Sequence, residues 1–176
     1  MINWLKLALF IWYYIGWFGC IFLGRSENSA FTVLFPLVAW FLMTKQFRIK
    51  IKVAVLLVAF AVVGIIFDAL AAHFGWILFL TKASSVSPFW LICLWFLFVT
   101  VLPLSFGLLK NRLGLASLLG FIFGPLSYRS GETLAIMILP IWPGMAIYGL
   151  FWALFFPTAL FLLKHIEFDE QKKKPA

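Results

Sequence analysis

The feature that most constrains this chain is a succession of apolar stretches, each near the length of a membrane-crossing helix, joined by short polar links. A spanning helix needs about 20 mostly apolar residues, with a range of about 17–25. The sequence is 65% hydrophobic and 11% charged, whereas a soluble domain is about 45–50% apolar and about 25% charged. One soluble core cannot hide that much apolar surface, so a bilayer is the expected solvent. A disulfide scaffold, a disordered chain and a soluble enzyme are excluded. The fold class expected is all-α integral membrane, a compact bundle of about six transmembrane helices.

The stretches are read as Leu7–Gly24, Ser29–Thr44, Val53–Ala72, Pro88–Leu109, Leu113–Tyr128 and Gly144–Leu163. The first is crowded with Trp12, Tyr13, Tyr14 and Trp17 and is followed by no A-x-A site, so it is expected to be a retained helix rather than a cleaved signal. Between the fifth and sixth, Pro140 and Pro143 interrupt the apolar run, because proline lacks the N–H that a helix interior uses. Thr133–Pro140 is therefore expected to be interfacial or re-entrant. Residues 1–169 read as one polytopic membrane domain and 170–176 as a disordered basic tail.

The net charge is +8. With six crossings, Lys6, Lys45, Arg48, Lys50, Lys52, Lys110, Arg112, Lys164, Lys172, Lys173 and Lys174 fall on one side, against Arg25, Lys82 and Arg129 on the other. The excess of basic residues marks the cytoplasmic side. It places both termini there (N-in, C-in) and suits anionic headgroups. Nucleic acid is not an expected partner, because the basic residues sit in short links between helices.

Small residues let membrane helices approach closely. Gly16, Cys20 and Gly24 share one face of the first helix, and Ala116, Gly120 and Gly124 share one face of the fifth; Gly149 and Ala153 do the same on the sixth. These faces are expected to pack against protein, the first helix beside the fifth. Cys20 and Cys93 have no metal-ligand spacing and read as small buried apolar residues. Pro36, Pro103, Pro125 and Pro157 each free a carbonyl that hydrocarbon cannot satisfy; Thr100, Ser105 and Ser127 are the hydroxyls expected to meet them.

Asp68 is the charged side chain deep inside an expected span. A carboxylate in lipid is costly and marks a functional site by default. It lies 15 residues beyond Val53, or about 22 Å into a core about 30 Å thick. That depth is the outer third of the bilayer, within reach of headgroups or a polar cavity. Arg25 and Arg129 fall on the same outer side, and an Asp68–Arg129 or Asp68–Arg25 pair is expected. The ligand-binding candidates are thus Asp68, Arg129, Arg25, Trp17 and Tyr128. Acid–base catalysis requires groups held close together, and Asp68 with His73 or Glu132 is the available set. Motifs for zinc, nucleotide, dinucleotide or serine-hydrolase chemistry are missing, as is the aspartate-rich motif of lipid phosphotransferases. No metal and no cofactor is expected.

Gly16-Trp17-x-x-Cys20, Asp68, Pro88-x-Trp90 with Trp95, and Gly120-x-x-x-Gly124-Pro125-x-x-Tyr128-x-x-Gly131 occur in that order. Together they resemble the bacterial inner-membrane family called domain of unknown function 2878, over nearly the whole chain. Where that family is expected to carry Asn-x-Ser after the Trp95 helix, this chain has Pro103-Leu104-Ser105. The resemblance implies an inner-membrane location, about six helices and a tie to the envelope or its lipids. It supplies no catalytic residue. The function expected is binding or movement of a lipid or amphipathic molecule at the outer leaflet. Two alternatives stand beside it: a non-catalytic subunit that docks a membrane-protein partner through its glycine-rich faces, and a lipid-modifying enzyme. A homodimer is left open.

Overall fold

A computed structural model describes residues 4–24, 26, 28–47, 49–80 and 87–172. Helix α1 is Trp4–Gly24; a 3₁₀ turn, Ser29–Val33, leads into α2, Leu34–Phe47; and α3 is Ile51–His73. After a two-residue strand β1, Leu78–Phe79, the helix α4, Phe89–Phe98, passes through a 3₁₀ turn, Val99–Val101, into α5, Leu102–Leu109. Helix α6 is Leu113–Thr133; strand β2 is Met137–Ile138; and a wide turn, Ile141–Met145, opens α7, Ala146–Lys172. Among the described residues, four segments are long and apolar enough to cross a membrane: Trp4–Gly24, Ser29–Gln46, Ile51–His73 and Ile141–Ile166. This is a helical protein built for a membrane.

Three boundaries differ from expectation. Arg129–Glu132 does not end α6, which runs on to Thr133. The Thr133–Pro140 piece turns at Ala135, whose φ is 52°, and then pairs β2 antiparallel with β1, Leu78 opposite Ile138 and Phe79 opposite Met137. This small ladder ties the connection after α3 to the one after α6 and satisfies backbone groups that lipid would leave unpaired. It is a minor strand element in a fold expected to be all-α. Helix α7 continues to Lys172, past Glu170 where the disordered tail was expected to begin; residues 173–176 lie outside the described residues.

The glycine faces work as close-packing surfaces, but α1 takes a different neighbour. It lies against α2 and α4 rather than α6. A Cβ on Gly16 would come 2.7 Å from Leu97, and one on Gly24 would come 2.4 Å from Trp90; Cys20, buried, sits between them in the same seam. Stripe spacing specifies close approach without naming the partner, and α4 supplies the complementary side chains. Helix α6 packs mainly on α7. There a Cβ on Gly120 would come 2.4 Å from the Trp152 carbonyl oxygen. Pro157 frees the carbonyl of Ala153, four residues back, and Ser117 Oγ of α6 donates to it at 2.8 Å. Ser117 does this work rather than Thr100 and Ser127, which donate three residues back within their own helices, to Leu97 and Gly124. The Ser105 side chain lies outside the described residues.

Candidate functional site

Four helices meet at Asp68. Its carboxylate comes from α3 and is fully buried. Oδ2 accepts from Trp95 Nε1 of α4 at 2.6 Å and from the Tyr128 hydroxyl of α6 at 3.0 Å. Oδ1 accepts from the Tyr148 hydroxyl of α7 at 2.7 Å. Trp95 Nε1 can only donate, and a tyrosine hydroxyl can donate or accept; three such groups converging on two oxygens satisfy a polar group that lipid could not.

The layer below makes this meeting sterically feasible. One turn before Asp68, a Cβ on Gly64 would lie 2.4 Å from three atoms of the Trp95 ring, so the indole rests directly on the α3 backbone. One turn before Tyr128, a Cβ on Gly124 would lie 2.2 Å from Trp152. Trp95 and Trp152 stack, ring centroids 5.3 Å apart and planes 8° apart, with Phe155 edge-on to both. The two glycines and two indoles thus form the floor under the hydrogen-bonded cluster, and Tyr128 and Tyr148 close it from above, ring centroids 4.3 Å apart.

Several expectations about this region are corrected. Asp68 is not within reach of headgroups, because indole and phenol rings enclose it. Its partners are neutral donors, not an arginine. Arg129 instead pairs with Glu132, Nη1 to Oε2 2.7 Å, one helical turn along a half-buried side of α6. This is an ion contact without hydrogen-bond alignment; Arg129 Nη1 also donates to the Leu139 carbonyl at 3.3 Å. Arg129 follows Tyr128 directly within α6, about 100° further around the helix, and so points away from the face that Tyr128 presents to α3. Arg25 lies outside the described residues. His73 is exposed at the end of α3 against Phe74, so Asp68, His73 and Glu132 do not assemble into one acid–base set. Among the described residues, no group of three or more His, Cys, Asp and Glu side chains is placed to hold a metal ion.

Because α1 and α6 do not pack on each other, a groove of about 970 Å³ lies between them, with α4 as its back wall. Its lining is mostly apolar and aromatic, with Lys6 and Ser127 also part of it. Trp17 and Tyr128, both expected at a binding site, line it, as do Trp95 and Trp152. Two of the three donors on Asp68 are therefore also wall residues of the groove: the buried acid fixes the rings that face the cavity.

The order and spacing of these residues fit one family. A model described as Protein of unknown function (DUF2878) matches residues 6–158, most of the chain. The chain belongs to the DUF2878 family. No curated protein and no solved structure matches it. In this DUF2878 protein the matched region includes α1, Asp68, Trp95 and the Tyr128 helix, so the cluster and the groove both lie within it.

Sequence reasoning missed Tyr148 and Gly64. The signal for Tyr148 was available: a buried acid demands donors, and Tyr148 sits one turn before Trp152 in an otherwise apolar run. Gly64 stands four residues before Asp68 on the same face, the spacing of a close-packing site.

Proposed function

We propose that this protein is a six-crossing bacterial inner-membrane protein, with both termini in the cytoplasm, that binds a membrane lipid or related amphipathic molecule in the groove between α1 and α6. The fifth and sixth crossings are α4 continued by α5 (residues 89–109) and α6, each about as long as a spanning helix requires; the distribution of basic residues gives the orientation. The outer-leaflet half of the groove is the part walled by Trp17, Trp90 and Tyr128.

The single observation that carries the reading is that Trp95 and Tyr128 face the groove while their polar tips are held by Asp68. An apolar cavity of this size, with ordered aromatic walls and a few fixed polar groups, has the character of a ligand site. Asp68 is then a positioning residue and does not touch the ligand. The docking-subunit alternative loses its support, since Gly16, Gly24, Gly120 and Gly124 are covered by Leu97, Trp90 and Trp152 of the same chain.

The test is native mass spectrometry of the protein extracted in mild detergent, with Leu94→Trp as the groove-filling variant. A lipid retained by the parent and lost from Leu94→Trp, with the helical content of both equal, supports the reading. Equal retention by both, or no retained lipid in either, overturns it.

A further inference from the structure

The outward face of the β1–β2 ladder is apolar. Strand residues alternate between two faces. On the inner face Phe79 lies edge-on to Trp90, ring centroids 6.3 Å apart, and Met137 is buried against Gly131. On the outer face Leu78, Leu80 and Ile138 are exposed; Leu80 extends the pairing, its N–H donating to the Ile136 carbonyl at 2.8 Å. An antiparallel ladder with one face in water carries polar residues on that face, and this one carries three aliphatic ones. The turn after β2 adds Ile141 and Trp142, exposed by 71% and 80%. Phe74, just past the end of α3, is exposed as well and stacks on Trp76 at 5.1 Å. So much exposed apolar surface on one short element marks a contact surface.

We infer that the ladder is seated on the outer leaflet of the bilayer, its Leu78–Leu80–Ile138 face and Trp142 lying in the boundary between headgroups and acyl chains. Two observations select lipid as the occupant. The first is height. Helix α3 has 23 residues, about 34 Å at the helical rise and about 32 Å of height at an average tilt of about 20°, against a hydrocarbon core about 30 Å thick. A helix that enters the core at Ile51 leaves it at His73, so the ladder that follows starts at the boundary and not out in water. The second is continuity. Val62, Ile66, Leu70 and Phe74 stand four apart along α3 and its end, and all are exposed; the row that faces lipid along the helix runs on into the patch. Tryptophan favours this depth, where one part of the ring is apolar and the N–H stays wet. The inference rests on the crossings and orientation proposed above and not on a ligand in the groove. It gives the interfacial alternative for Thr133–Pro140 a defined face and a partner. It also sets the level of the groove: Trp90, Gly131 and Met137 line its outer end, directly under the ladder, so that end lies at headgroup height.

The test is electron paramagnetic resonance of the full chain in phosphatidylcholine liposomes, in a Cys20→Ala, Cys93→Ala background. A nitroxide is attached in turn at Leu78→Cys, Ile138→Cys and Trp142→Cys, with Val62→Cys as the mid-span reference. Collision with oxygen, which concentrates in lipid, is compared with collision with a water-soluble nickel chelate, and lipids spin-labelled at graded chain positions calibrate the depth. The three labels on the ladder and its turn are expected within about 5–10 Å of the headgroup–acyl boundary and shallower than Val62, with oxygen collision retained and most of the nickel collision of a free label lost. Nickel collision equal to that of a free label puts the face in water and overturns the inference. Poor collision with both reagents means that protein, such as a second copy, covers the face, and a depth equal to that of Val62 means that the ladder is sunk in the core; either result also overturns it. A Val62 label outside the hydrocarbon overturns the crossing by α3 itself, and with it the placement proposed above. Circular dichroism checks that each labelled chain keeps the helical content of the parent, and any two of the three exposed positions suffice for the test.

Discussion

Replacing Asp68 with alanine and with asparagine separates two explanations of what holds the four-helix crossing together. Alanine removes both acceptor oxygens and strands Trp95 Nε1 and the hydroxyls of Tyr128 and Tyr148, which now bond at 2.6, 3.0 and 2.7 Å. Interhelical hydrogen bonds in membrane proteins average about 0.6 kcal/mol and reach about 1.7 kcal/mol, so losing three costs roughly 2–5 kcal/mol. Asparagine has the same shape. With its carbonyl oxygen in the Oδ2 position it still accepts from Trp95 and Tyr128, and its amide donates to Tyr148, whose hydroxyl accepts as readily as it donates. All three contacts survive with one reversed in direction, so Asp68→Asn is expected to cost less than about 1 kcal/mol. The assay is reversible unfolding in mixed micelles, followed by far-ultraviolet circular dichroism and tryptophan emission, with Asp68→Ala, Asp68→Asn and parent compared in one lipid-to-detergent ratio. An Asp68→Ala loss below about 0.5 kcal/mol would show that the cluster contributes nothing to stability. An Asp68→Asn loss as large as that of alanine would show that negative charge, and not the number of acceptors, is what the crossing requires.

Four further outcomes are expected. Ser117→Ala leaves the Ala153 carbonyl freed by Pro157 without its donor and should cost about 0.6–1.7 kcal/mol in the same unfolding assay, with Ser117→Thr recovering much of it. Gly124→Val drives side-chain atoms into Trp152, where even a Cβ would be 2.2 Å away, and should cost about 1–3 kcal/mol by overpacking. Gly114→Ala meets nothing within 4 Å and should be neutral or stabilising by up to about 1 kcal/mol, which makes it the control for a glycine without a packing role. A reporter fused after Ala176 should read as cytoplasmic; an external signal would overturn the orientation drawn from the basic residues.

The sequence by itself determined the solvent, the element type and the place of the acid. Hydropathy is a local property summed over about 20 residues, and backbone groups in lipid must be satisfied within the segment, so apolar runs such as Ile51–His73 had to be helices. The cost of a carboxylate in hydrocarbon likewise singled out Asp68 whatever its partners turned out to be. Glycine spacing said that backbones would come close at Gly16, Gly120 and Gly124. Tertiary structure alone decided against what. The choice of α4 rather than α6 as the neighbour of α1 depends on whether Leu97 and Trp90 fill the Gly16–Gly24 stripe, which is a matter of shape across two helices. Tyr148 stands 80 residues from Asp68, and its hydroxyl reaches the carboxylate only because Gly64 and Gly124 let the two indoles settle between the helices. The groove follows from the same choice: once α1 packs on α4 and α6 packs on α7, the space between α1 and α6 is left open, and no periodicity within a single helix encodes a space between two.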